Sequence, residues 1–144
     1  MWSDTLQAIE RAHLLRVGGW GAAAALAGTL LLALIAVRRW RTPLLFHFAL
    51  QTAAWGAVDL ALAGWGLSAL TLRDHAAATR LDRLLWLNVG LDVGYVAVGA
   101  TLAIAAWRLG RRLGGVGAGL GVIVQGVALL VLDGLVVAQL ASSI

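Results

Sequence analysis

Residues Val116 to Ala141 read VGAGLGVIVQGVALLVLDGLVVAQLA, and Asp133 is the only ionisable side chain among these 26 positions. A helix needs about 20 consecutive apolar residues to cross the hydrocarbon core of a bilayer, and this stretch has them to spare. It is apolar at both odd and even positions, whereas a spanning barrel strand alternates with a period of two. It therefore predicts a transmembrane helix. Three more stretches of the same kind lie N-terminal to it, at Val17 to Val37, Leu44 to Leu70 and Leu84 to Trp107. Four spans use most of the 144 residues and leave no room for a separate extramembrane domain. The composition agrees: 61% of residues are hydrophobic and 12% charged, against about 25% charged in soluble domains. The predicted fold class is an all-α membrane protein of four transmembrane helices, arranged as two helical hairpins with short amphipathic lead-in helices.

All eleven basic residues are Arg, which together with abundant Ala and Gly suits a GC-rich bacterial genome. The net charge of +4 does not indicate nucleic acid, because the arginines flank the spans. Arg38, Arg39 and Arg41 fill the first short loop, and Arg108, Arg111 and Arg112 the third. These six are expected to meet anionic lipid headgroups on the cytoplasmic side, giving N-out and C-out in a bacterial inner membrane. Five arginines lie on the other side, so the charge bias is small and dual topology stays open. Trp20, Trp65 and Trp86 at one level and Trp40 and Trp107 at the other read as aromatic belts. The first 16 residues mix acids, bases and apolar positions, and are expected to remain as a short interfacial helix. Cysteine is absent, which excludes disulfides, thiolate catalysis and iron–sulfur ligation.

The two halves align. An offset of 72 pairs Ile9-Glu10-Arg11 with Leu81-Asp82-Arg83, Thr29-Leu30 with Thr101-Leu102, and Arg39 with Arg111. With two more residues in the third loop, an offset of 74 pairs Gln51 with Gln125 and Asp59 with Asp133. The expectation is an internal duplication, residues 3–71 and 75–144, about a pseudo-twofold along the membrane normal.

The polar residues inside the spans carry whatever chemistry the chain has. His47, Gln51, Trp55 and Asp59 follow one another at i+4 and share a helix face, as do Asn88, Asp92 and Tyr95. Gln125 and Asp133 lie within about 80° of each other on their helix. Asp59, Asp92 and Asp133 each stand about 9 Å below the same membrane edge, at 1.5 Å per residue. No Arg or Lys lies within a span, so the three acids are expected to have no cationic partner in the monomer. Ionising all three unpaired would cost about 8–10 kcal/mol, so they hold protons, share them or hold a cation. The bland counterpart is neutral carboxyl groups hydrogen-bonded between helices as glue. Trp55 suits either packing or a wall for an organic cation. His13 and His75 read as interfacial, His47 as either interfacial or a proton relay for the candidate site, and one span histidine cannot ligate haem from both sides. No cofactor is expected. Gly90-x3-Gly94 and Gly117-x3-Gly121 read as helix-packing patterns. Nucleotide-binding, zinc-protease and serine-hydrolase motifs are absent, so no enzyme is expected.

The string Leu84-Leu85-Trp86-Leu87-Asn88-Val89-Gly90-Leu91-Asp92-Val93-Gly94-Tyr95, followed by Gly117, Gln125-Gly126 and Asp133, resembles an uncharacterised family of small bacterial four-span membrane proteins. The resemblance runs from about His47 to Val137. It implies a motif of His, Asn, Trp and Asn at positions 47, 51, 55 and 59, from which Gln51 and Asp59 depart. It implies no activity. Two functions follow from the residues themselves. One is binding or transport of a small cation or polar solute, coupled to protons, with Asp59, Asp92 and Asp133 as acids and Asn88, Gln51, Gln125 and Tyr95 as lining. The other is a non-transporting subunit of a membrane complex or homo-oligomer.

Overall fold

The computed structural model describes residues 2–142, and among these it is helical without any strand. The helices are α1 (Trp2–Val37), α2 (Pro43–Ser68), α3 (His75–Arg108) and α4 (Leu113–Ala141). All four are long and apolar enough to cross a membrane, so the chain is a multi-pass membrane protein. Large side chains such as Leu26, Leu30 and Val98 point outward, as a lipid-facing surface requires, and the tightest contacts are left to small residues.

Helix ends follow local chemistry. Pro43 opens α2, where its missing N–H costs nothing. Asp74 caps α3 by accepting a hydrogen bond from the Ala77 N–H at 2.7 Å. The loops after α1 and α3 turn through left-handed arginines, Arg39 at φ 51° and Arg111 at φ 53°.

The lead-in segments are not separate helices. They run unbroken into α1 and α3, because neither 3–16 nor 75–83 contains a Gly or Pro to interrupt the backbone. At 36 residues α1 is about 54 Å long, well beyond the hydrocarbon thickness of about 30 Å. Its first turns therefore stand outside the hydrocarbon. There Leu6 joins Leu81, Leu85, Val136 and Leu140 in an apolar plug between α1, α3 and α4.

Glycine sets the helix spacing. In the first hairpin a Cβ on Gly21 would come within 2.7 Å of the Leu60 nitrogen, and one on Gly28 or Gly56 would strike the facing backbone. In the second, a Cβ on Gly99 would lie 2.7 Å from the Gly119 carbonyl, and Gly126 rests on the Asp92 carbonyl. Between hairpins, Gly117 lies on Leu44 and Gly121 on Gln51, which brings α2 and α4 together in parallel. α1 also packs on α4, but α2 and α3 do not close along their length. One packing expectation fails here. Gly90 and Gly94 face open space with nothing within 4 Å, because their side of α3 points away from the other helices.

Candidate functional site

A cavity of ≈ 220 Å³ lies among the four helices on the side where α2 and α3 stay apart. α1 brings His13, Leu14 and Val17 to it. Trp55, Val58 and Asp59 come from α2, Asn88, Asp92 and Tyr95 from α3, and Leu129 and Asp133 from α4. The i, i+4, i+7 spacing on α3 places Asn88, Asp92 and Tyr95 on one face, and the i, i+4 spacing on α2 does the same for Trp55 and Asp59. Rings of Trp55 and Tyr95 meet at 5.4 Å between centroids and form one wall. Val58, Leu62 and Leu91 form an apolar rim, each about half exposed, so the cavity opens sideways between α2 and α3.

All three acids are buried and line this one cavity, close enough to feel one another's charge. Their partners differ. Trp20 Nε1 donates to Gln125 Oε1 at 3.0 Å, and Gln125 Nε2 donates in turn to Asp59 Oδ2, a relay that ties α1 to α4 and α4 to α2. Asp133 Oδ1 lies 3.3 Å from His13 Nε2. Asp92 is different: only 3% exposed, it has an oxygen, Oδ2, with no hydrogen-bond partner. The other such buried atom among the described residues is His13 Nδ1.

These contacts give Asp133 a histidine neighbour from outside the predicted spans. His13 is not an interfacial residue: it is buried against Asp133, because α1 continues straight through the edge of its apolar run. Trp20 turns inward as well, where its indole N–H needs an acceptor, while Trp65 and Trp86 stay exposed to lipid. One signal in the sequence points to both. His13, Val17 and Trp20 follow at i, i+4 and i+7 and extend the face that carries Leu6 and Ile9.

Two of the residues read as site candidates stand apart. His47 is exposed near the opposite end of α2, beside Gly114, and its ring meets Phe46 at 5.3 Å. Gln51 sits against Gly121, one turn further along, and neither residue lines the cavity. They share the helix face of Asp59 but not its depth. Gln125 touches the site only through Asp59.

Above the cavity, Arg73 from the loop between α2 and α3 grips Glu10 on α1 with two hydrogen bonds of 2.7 and 2.5 Å. Glu10 accepts these bonds and so holds the Arg73 guanidinium above the ordinary arginine range. Among the described residues no three His, Asp or Glu side chains converge to hold one metal ion. The arrangement offers a carboxyl with a buried unpartnered oxygen, an amide, a phenol and two aromatic rings around one small space.

Residues 16–134 match the model of a family of unknown function (DUF6992). No curated protein matches the chain, and no solved structure does.

Proposed function

The chain belongs to that family of unknown function, and we propose that it holds a small cationic or polar solute inside the membrane at Asp92, exchanging it with protons. One observation carries the reading: a carboxyl buried to 3% exposure keeps an unpartnered oxygen beside a ≈ 220 Å³ cavity. A buried polar atom without a partner is costly, and a site that keeps one is waiting for a ligand or a proton. In the proposed roles Asp92 is the ligand group, Asn88 and Tyr95 are hydrogen-bonding lining, and Trp55 is a wall. Asp59 and Asp133 are the supporting acids, held by Gln125 and His13.

The proposed setting is the bacterial inner membrane, with the arginine loops 38–42 and 109–112 in the cytoplasm and both termini outside. Arg38, Arg39, Arg41, Arg108, Arg111 and Arg112 are exposed there, within reach of anionic headgroups. An origin by duplication is part of the same proposal. It is supported by the shared left-handed arginines, Arg39 and Arg111, and by the parallel course of α2 and α4. A homo-oligomer would complete the wall that four helices leave open.

Thermal unfolding in detergent between pH 5 and 9, with and without Na+, Li+, K+ or guanidinium, tests the site. A ligand that binds only the folded chain raises its stability by RT ln(1 + [L]/Kd). The expected outcome is a cation-dependent rise in midpoint for the wild type that Asp92→Asn abolishes. An absent ion response, with Asp92→Asn at or above wild-type stability, would return the cluster to the rival reading of a non-transporting subunit. That rival has its own support in the Trp20–Gln125–Asp59 relay, whose groups satisfy one another as structural glue does.

A further inference from the structure

Resting on that reading, we infer that the solute is a monovalent organic cation with N–H donors and an apolar body, of the aryl- or alkylguanidinium or primary ammonium class. The first reason is what the cavity cannot do. Metal ions such as Ca2+ take about six to eight oxygen ligands, and no three His, Asp or Glu side chains among the described residues converge on one point. A molecular cation makes no such demand, because its charge is spread over a framework that carries its own donors.

The second reason is the count of free groups. Asp59 Oδ2 already accepts from Gln125 and Asp133 Oδ1 faces His13, whereas the Asp92 carboxyl is left with an oxygen, Oδ2, buried without a partner. One carboxyl without a partner matches one positive charge. Because that oxygen lacks a hydrogen bond as well as a counter-charge, an N–H cation satisfies it and a quaternary ammonium does not.

The third reason is the walls. Trp55 and Tyr95 present aromatic faces beside Asp92, where a cation gains from the ring quadrupole and a planar guanidinium stacks. The rim of Val58, Leu62 and Leu91 is apolar and opens between α2 and α3 toward the lipid. A ligand with an apolar body keeps that body against the rim while its charged head lies inside. At ≈ 220 Å³ the space is below the range of about 300–1,000 Å³ that holds drug-sized ligands, which sets a small molecule as the occupant.

Calorimetric titration of the detergent-solubilised full chain at pH 8 tests this with four probes: phenylguanidinium, methylammonium, tetramethylammonium and Na+. Phenylguanidinium is expected to bind the wild type. Its affinity should fall about tenfold or more in Asp92→Asn, as loss of a charge-assisted bond implies, and by a smaller factor in Trp55→Leu. Tetramethylammonium, which has no N–H, should fail to compete. Asp92→Asn is nearly isosteric and surrenders no hydrogen bond, and its unfolding midpoint, measured in the same detergent, confirms that it is folded. Two results overturn the inference and leave the solute site standing: Na+ binding that depends on Asp92 without phenylguanidinium binding, or tetramethylammonium competing as well as phenylguanidinium. Phenylguanidinium affinity unchanged in Asp92→Asn also overturns it. No binding by any probe removes both the inference and the site.

Discussion

α1 packs on α4 whereas α2 and α3 stay apart, and the polar residues beside the contact and beside the gap are partnered differently. On the α1/α4 side the polar residues meet across the helices, Trp20 with Gln125, His13 Nε2 with Asp133 and Arg16 with Gln139 at 3.4 Å, although His13 Nδ1 is left without a partner. On the α2/α3 side two aromatic rings touch, and the carboxyl behind them is left with a bare oxygen. The difference teaches that intramembrane polar residues are not one class. Those on the closed, α1/α4 side are held by other helices, whereas the Asp92 oxygen on the open side is not, and under the proposed function a bound solute would supply what it lacks.

The largest effect should come from breaking the closed side at its centre. Gln125→Leu strands Asp59 and Trp20 together, and a loss of about 2–3 kcal/mol in unfolding free energy is expected from two interhelical bonds and an unsatisfied carboxyl. Reversible denaturation in mixed micelles would read it. His13→Ala removes the histidine beside Asp133, so about 1–2 kcal/mol is expected by the same measurement. On the open side the sign should reverse. Asp92→Asn is expected to be neutral or to stabilise by up to about 1 kcal/mol while abolishing ligand response, since the amide carries no charge to bury. If that variant instead loses as much as Gln125→Leu, the two sides are alike and the contrast fails. Smallest of all should be Arg73→Ala, at about 0–1 kcal/mol. Its pair with Glu10 is partly exposed at the membrane surface, and the loss should shrink further as salt is added.

Much of this arrangement is legible in the chain. Hydropathy finds the four helices because lipid leaves no alternative for the backbone. Helical spacing groups Trp55 with Asp59 and Asn88 with Asp92 and Tyr95, and counting inward from the span ends puts the three acids at one level, where one cavity takes them all. The same spacing overreaches at His47 and Gln51, because a shared face says nothing of depth: both lie turns away from the cavity that Asp59 enters. His13 is missed for the converse reason. An apolar run ends where its composition changes, whereas a helix ends only where its backbone is interrupted, and nothing between Ser3 and Val17 interrupts it. The pairing of Trp20 with Gln125 depends on the register between helices from different hairpins, which no spacing within one helix contains.

The glycine contacts have a consequence for how the molecule is made. Gly21, Gly28 and Gly56 close the first hairpin across the loop 38–42, and Gly99, Gly119 and Gly126 close the second across 109–112. Both unions are short-range in sequence, so each is available as soon as its two helices have left the ribosome and entered the membrane. Asp59 then waits in a finished hairpin for a Gln125 that has not yet been synthesised. The order of assembly is thus written as two quick closures followed by one slower docking. Two separately expressed halves, cut within the connection 69–74, should find each other in the bilayer through that waiting carboxyl.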